Sequence, residues 1–327
     1  MNLIKKLLFC FALFILSIGI WNIFYIQGER GENGKIKMIY IAKVIDEAND
    51  FWTQLLEGAY MAAMEYEVDL EVVAADKEDN YKAQNKLIEW AITQKPEVIL
   101  LSPSSYTETI PAAEKIIEAG ICLILIDSAM GKQLEESKIA TDNIKAGFME
   151  GEYLKSFIKE DSKIIIIGHV KGTSTAIERE RGLRQALGED EEKIVDVAFC
   201  DSEYEKAEQI METMLAKHKD IDLVAGLNEY SAVGAARAVK KAGLSSQVRV
   251  VGFDSSLEEI RLLEEGVLQG IVVQKPFKMG YLGVKTGVMA FQGDKVPENI
   301  DSGFELITKD NMYAENIQEL IFPFKED

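Results

Sequence analysis

Cysteine is scarce: three in 327 residues, Cys10, Cys122 and Cys200, with no C-x-x-C pair. That number cannot build a disulfide framework. Histidine is scarcer still, with His169 and His218 alone, so no zinc constellation is available and no metal is expected. Positive charge is outweighed, 36 Lys+Arg against 55 Asp+Glu, a formal charge of −19. Such a chain is a poor partner for nucleic acid, because phosphate binding needs clustered Lys and Arg. Catalytic signatures are missing too. There is no G-x-S-x-G elbow and no G-x-G-x-x-G, and Gly168–Thr173 lacks both the spacing of a P-loop and its Lys before Ser/Thr. Neither catalysis nor a cofactor is expected.

What is present is an ordinary globular composition, 47% hydrophobic with 28% charged, which excludes intrinsic disorder. The length favours two domains, since single cores stop growing near ~250–300 residues. One segment stands apart. Leu7–Ile26 is apolar except for Ser17, Gly19 and Asn22. As a helix it spans roughly 30 Å, a bilayer's hydrocarbon thickness. Lys5 and Lys6 precede it, which places residues 1–6 in the cytoplasm and everything after Ile26 outside. The run ends in Trp21, Phe24 and Tyr25 and has no small-x-small site before Gly28, so it reads as an uncleaved transmembrane anchor in the lipid bilayer rather than a signal peptide. Residues 27–35, with three glycines, read as a polar linker.

From Lys37 onward short apolar runs alternate with amphipathic stretches. Met38–Ala42, Leu70–Ala74, Val98–Ser102 and Ile121–Asp127 read as buried parallel strands. Helical patterns at Asp50–Glu67, Tyr81–Gln94 and Tyr106–Ala119 separate them. After a break near Thr141–Lys145 the rhythm restarts, with strands at Lys163–Gly168, Ile194–Phe199, Leu223–Leu227, Val248–Phe253 and Gly270–Gln274. Repeated βα units predict an α/β protein with two lobes, each a parallel sheet covered by helices.

In open α/β sheets ligands sit beyond the carboxyl ends of the strands. Those positions are polar and chemically matched here: Lys43, Asn49, Phe51 and Trp52 after the first strand, Asp127 at the end of the fourth, and Arg179, Asn228, Asp254 and Gln274 in the second half. Carboxylates, amides and an Arg fork can saturate sugar hydroxyls, while aromatic faces cover the C–H side of the ring. Lys43 and Arg179 against Asp127 and Asp254 sum to zero charge, which suits a neutral ligand. Singly, each has a plainer role: Asn228 as a helix cap, Phe51 and Trp52 as core. His169 and His218 read as structural or surface residues, and Met211 and Met214 as core.

Asn49-Asp50-Phe51-Trp52 with Leu56–Ala59, Ile126-Asp127, Ala140–Asn143, Gly172–Ala176 leading to Arg179, Asn228-Glu229, Val251–Asp254, Gln274–Pro276 and Ile307–Asn311 form an ordered set. Over residues 37–320 this set resembles the pentose- and hexose-binding periplasmic proteins, the ribose-binding branch above all. The resemblance implies two Rossmann-like lobes joined by a three-crossover hinge near Asp142–Asn143, Gln274–Pro276 and Gly303–Phe304, the lobes being residues 36–142 with 276–303, and 143–275 with 304–327. It implies a monosaccharide held by Asn49, Phe51, Trp52 and Asp127 from one lobe and by Arg179, Asn228, Asp254, Gln274 and, on a weaker match, Ser202 from the other. Ser128 stands where ribose binders carry Arg, and Lys43 where arabinose binders carry Lys; both point to a pentose or hexose other than ribose. Two partners fit such a protein, an ATP-driven importer's permease or a sensor histidine kinase. Lactose-repressor-type regulators share the lobes, but an apolar span occupies the place of their helix-turn-helix.

Overall fold

The computed structural model describes residues 34–321. The expected anchor Leu7–Ile26 lies outside them, and among the described residues no helix is long and apolar enough to cross a membrane. The chain runs β1 (Ile36–Ala42), α1 (Asp50–Glu65), β2 (Val68–Ala74), α2 (Tyr81–Thr93), β3 (Val98–Leu101), α3 (Ile110–Glu118), β4 (Cys122–Ile126) and β5 (Ser137–Ala140). It continues with α4 (Asn143–Lys155), β6 (Ile164–Gly168), α5 (Ser174–Leu187), β7 (Ile194–Phe199), α6 (Tyr204–Lys217), β8 (Leu223–Gly226), α7 (Glu229–Lys241), β9 (Arg249–Phe253), α8 (Leu257–Glu264) and β10 (Leu268–Gln274). Last come α9 (Pro276–Phe291), β11 (Asn299–Asp301), β12 (Phe304–Thr308) and α10 (Glu315–Ile321).

Two six-stranded sheets result, ordered β11-β5-β4-β3-β1-β2 and β12-β10-β9-β8-β6-β7. The first is parallel throughout; in the second β12 runs antiparallel to β10. The central strands are apolar at consecutive positions because helices cover both faces. Val98–Leu101 and Ile164–Gly168 are buried along their whole length. Each fully buried Ile or Leu contributes roughly 1.5–3 kcal/mol.

The chain passes between the sheets three times: after β5, after β10, and between β11 and β12. The crossings meet in one polar knot. Thr141 Oγ1 donates to Gln274 Oε1 at 2.8 Å and lies 3.3 Å from Ser302 Oγ. All three residues are buried, so their hydrogen bonds tie the crossing segments together away from water.

Two local expectations are corrected. The third helix begins at Ile110 rather than Tyr106, because Pro111 lacks an N–H and belongs in a first turn, while Ser105 Oγ accepts from Glu108 N at 3.1 Å and holds residues 105–108 in a turn. The break at Thr141–Lys145 instead opens helix α4, capped by Asp142 Oδ1, which accepts from Lys145 N. Helix α9 is an addition to the expected elements: its segment is strongly apolar, but Gly280, Gly283 and Gly287 lower its helix propensity.

Those glycines permit close packing. A Cβ on Gly280 would stand 1.9 Å from the Leu55 carbonyl oxygen, and one on Gly58 would stand 1.9 Å from that of Phe277. Helices α1 and α9 therefore touch backbone to backbone. Gly280→Ala should destabilise by about 3 kcal/mol, the upper part of the overpacking range, despite alanine's better helix propensity. Thermal unfolding should fall by about 5 °C or more; unfolding at the wild-type temperature would show that the helices are not so tightly seated.

Candidate functional site

The carboxyl ends of both sheets face one narrow, largely filled cavity. Its lining includes Lys43, Asn49, Phe51, Trp52, Asp127, Arg179, Asn228, Asp254 and Gln274, so nine of the ten residues read from the sequence come together. Ser202 does not line it; its hydroxyl donates to Glu78 Oε2 at 2.7 Å.

Asp127 and Asp254 occupy matching positions in the two sheets. Each follows its strand, β4 or β9, with left-handed backbone, φ 68° and 77°, and each donates its N–H to the next strand, to Ile139 O and Val272 O, both at 2.9 Å. Left-handed backbone is uncommon for a non-glycine residue, and aspartate is among those that tolerate it best. Asp127 Oδ2 accepts from Lys43 Nζ at 2.7 Å and from Ser128 Oγ at 2.6 Å. Asp254 accepts from Gln274 Nε2 at 2.6 Å and from Glu229 N at 3.2 Å. Gln274 thus connects the cavity to the crossover knot.

Arg179 lies 3% exposed, its guanidinium 4.0 Å from the Phe253 ring centroid. Nε donates to Asn143 Oδ1 at 2.9 Å and Nη1 to Leu227 O at 2.8 Å. Of five N–H groups, three are left for a ligand. Asn228 caps α7, as its plainer reading anticipated: Oδ1 accepts from Ser231 N and Oγ, and the amide N–H groups remain for the cavity. Asn49 caps α1 through Oδ1, which accepts from Trp52 N, and donates Nδ2 to Glu229 Oε2 across the cleft at 2.8 Å. Phe51 and Trp52 are both core and lining, packed edge to face at 5.1 Å.

Four lining residues were not anticipated: Glu78, His169, Thr175 and Tyr230. His169 corrects its reading as structural or surface. It is the first residue after β6, so the strand-end rule could have found it. Nε2 lies 2.8 Å from Thr175 Oγ1 and 3.3 Å from Thr173 Oγ1. Nδ1 has no protein partner. Burial, then the Arg179 and Lys43 cations, hold the imidazole pKa well below its usual range.

Glu78 also corrects the charge sum. Lys43 and Arg179 now face three carboxylates, Glu78, Asp127 and Asp254. Burial raises the Glu78 and Asp254 pKa values, which works back toward neutrality. Such a lining offers an anionic ligand no cationic excess and gives a polyhydroxyl ligand both donors and acceptors.

Two lobes with a polar, aromatic-walled cavity between their strand ends define a cleft-type solute-binding protein. The chain belongs to the periplasmic binding protein domain family, whose model matches residues 42–295. It is 28% identical over 270 residues to the ribose import binding protein RbsB of Escherichia coli, covering 82% of this chain and 90% of that protein. It is 27% identical to the D-ribose/D-allose-binding protein of Pseudomonas aeruginosa, covering 80% of this chain and 86% of that one. A sugar transporter structure from Clostridium phytofermentans is 47% identical with a TM-score of 0.80, over 84% of this chain and 99% of that one. A carbohydrate transporter solute-binding protein from Agrobacterium radiobacter, in complex with D-arabinose, superposes with a TM-score of 0.84 at 28% identity, over 89% of this chain and all of that one.

Proposed function

We propose that this chain is an extracytoplasmic solute-binding protein that closes over one neutral monosaccharide and delivers it to an ABC-type importer, held at the membrane by Leu7–Ile26. The observation that carries the reading is the pair Asp127 and Asp254, one from each sheet, facing one cavity with Lys43 and Arg179 beside them. Carboxylates accept two sugar hydroxyls each, the Arg179 fork and the Asn228 amide donate to ring or hydroxyl oxygens, and His169 Nδ1, which has no protein partner, pairs with a further hydroxyl. Phe51 and Trp52 cover the C–H face. Relatives that bind ribose, allose and arabinose support the substrate class.

The test is thermal unfolding of the full chain in detergent with D-ribose, D-allose, D-arabinose and D-fucose. A cognate sugar at 100 Kd adds about 2.7 kcal/mol and raises the transition by several degrees. A transition that no monosaccharide moves, at any concentration up to saturation, would sink the reading.

A further inference from the structure

We infer that Glu78 is a positioning residue that ties the pose of the Trp52 indole to closure of the cleft. The inference rests on the cavity being the sugar site. Glu78 lies in the turn between β2 and α2 and is 6% exposed. Its two oxygens serve opposite lobes. Oε1 accepts the Trp52 indole N–H at 2.6 Å, and Oε2 accepts the Ser202 hydroxyl at 2.7 Å. An indole has one donor, so this bond fixes the rotation of the ring wall. Ser202 follows β7 in the other lobe, where Asp201 and Ser202 both take left-handed backbone, φ 54° and 57°, and turn the hydroxyl toward Glu78.

Beside this contact Lys77 Nζ meets Glu203 Oε1 at 2.7 Å, also between lobes, but with side chains 59% and 44% exposed. An exposed pair of that kind contributes little. The Ser202–Glu78 bond is better shielded, and opening the cleft must break it. With the lobes apart Glu78 holds the indole alone. With the lobes together, the same carboxylate is clamped from both sides and the indole wall stiffens against the ligand. Ser202, expected as a sugar contact, thus acts on the sugar through Glu78 and Trp52.

The experiment uses the full chain carrying Trp21→Phe and Trp90→Phe, which leaves Trp52 as the one emitter among three tryptophans. The probe is the tightest binder among D-ribose, D-allose, D-arabinose and D-fucose, followed by stopped-flow emission. Ser202→Ala should speed dissociation about tenfold with association unchanged. Glu78→Ala should do the same and also shift the sugar-free emission, because the indole N–H loses its carboxylate acceptor. The double variant should dissociate no faster than Glu78→Ala, since the two residues make one contact. Glu78→Gln should restore most of the wild-type behaviour: its amide oxygen still accepts from Trp52, and its N–H can donate to the Ser202 oxygen. Multiplying effects in the double variant, or an emission unmoved by Glu78→Ala, would overturn the inference. If no probe binds the parent protein, the sugar reading fails, and the sugar-free emission of the Ala and Gln variants still decides whether Glu78 sets the indole.

Discussion

Arg179→Met is expected to cut sugar affinity at least a hundredfold. The guanidinium brings three N–H groups not taken by protein acceptors to the cavity, and a hydrogen bond to a charged group contributes about 1.5–3 kcal/mol. Losing two such bonds passes the ~2.7 kcal/mol that a hundredfold represents. Asp254 also loses the nearby cation that opposes the rise of its pKa on burial. Methionine keeps an unbranched apolar stem, while the guanidinium that stacks on Phe253 is lost. Stability should fall as well, by about 1–3 kcal/mol for each buried acceptor left alone at Asn143 and Leu227. Calorimetric titration with the cognate sugar, alongside thermal unfolding, separates the two effects. Near-normal affinity in a folded variant would mean that Arg179 only braces the lobe.

The second large effect is on pH. Glu229 is buried between the lobes, its Oε2 accepting from Asn49 and its Oε1 from the Tyr204 hydroxyl. Burial pushes its pKa up to about 8, and the charges of Asp254, Asp50 and Asp46 add to the rise. Glu259, buried on α8, is pushed well above its ordinary value by burial and by Glu229. In an open cleft water would return Glu229 toward its ordinary 4.5. The closed state therefore holds a proton that the open state releases. Closure is fully favoured below about 4.5 and loses that advantage as pH rises through about 8. Affinity for the cognate sugar should weaken tenfold or more between about pH 5.5 and pH 7.5, with proton uptake visible as a buffer-dependent heat. Glu229→Gln should flatten the profile. Affinity that stays level, or strengthens, as pH rises would contradict a closed state that takes up a proton at Glu229.

The strands were legible because parallel strands covered on both faces carry unbroken apolar runs, as in Val98–Leu101. Helices α4 and α9 were not, since Gly147, Gly151 and Gly280 serve backbone contacts that no periodicity rule registers. β11 and β12 carry Asn299, Asp301 and Glu305 on edge strands and so lack that signature. At the site, the strand-end rule reached Asp127 and Asp254 because each side chain follows its strand directly. His169 obeys the same rule, but a solitary histidine after a strand carries no signal that separates it from a packed core residue. Glu78 was beyond reach for another reason. Its partners Trp52 and Ser202 are 26 and 124 residues away in sequence, so its role exists only once the lobes meet.

The central claim is that ligand brings the two lobes together over a sugar. Small-angle scattering of the full chain, titrated with the cognate monosaccharide, tests it most directly. A cavity whose polar groups come half from each sheet can satisfy one sugar only when closed, so the radius of gyration should fall modestly and saturate with one sugar per chain. A sugar that binds by calorimetry while the radius stays constant across the whole titration would contradict it.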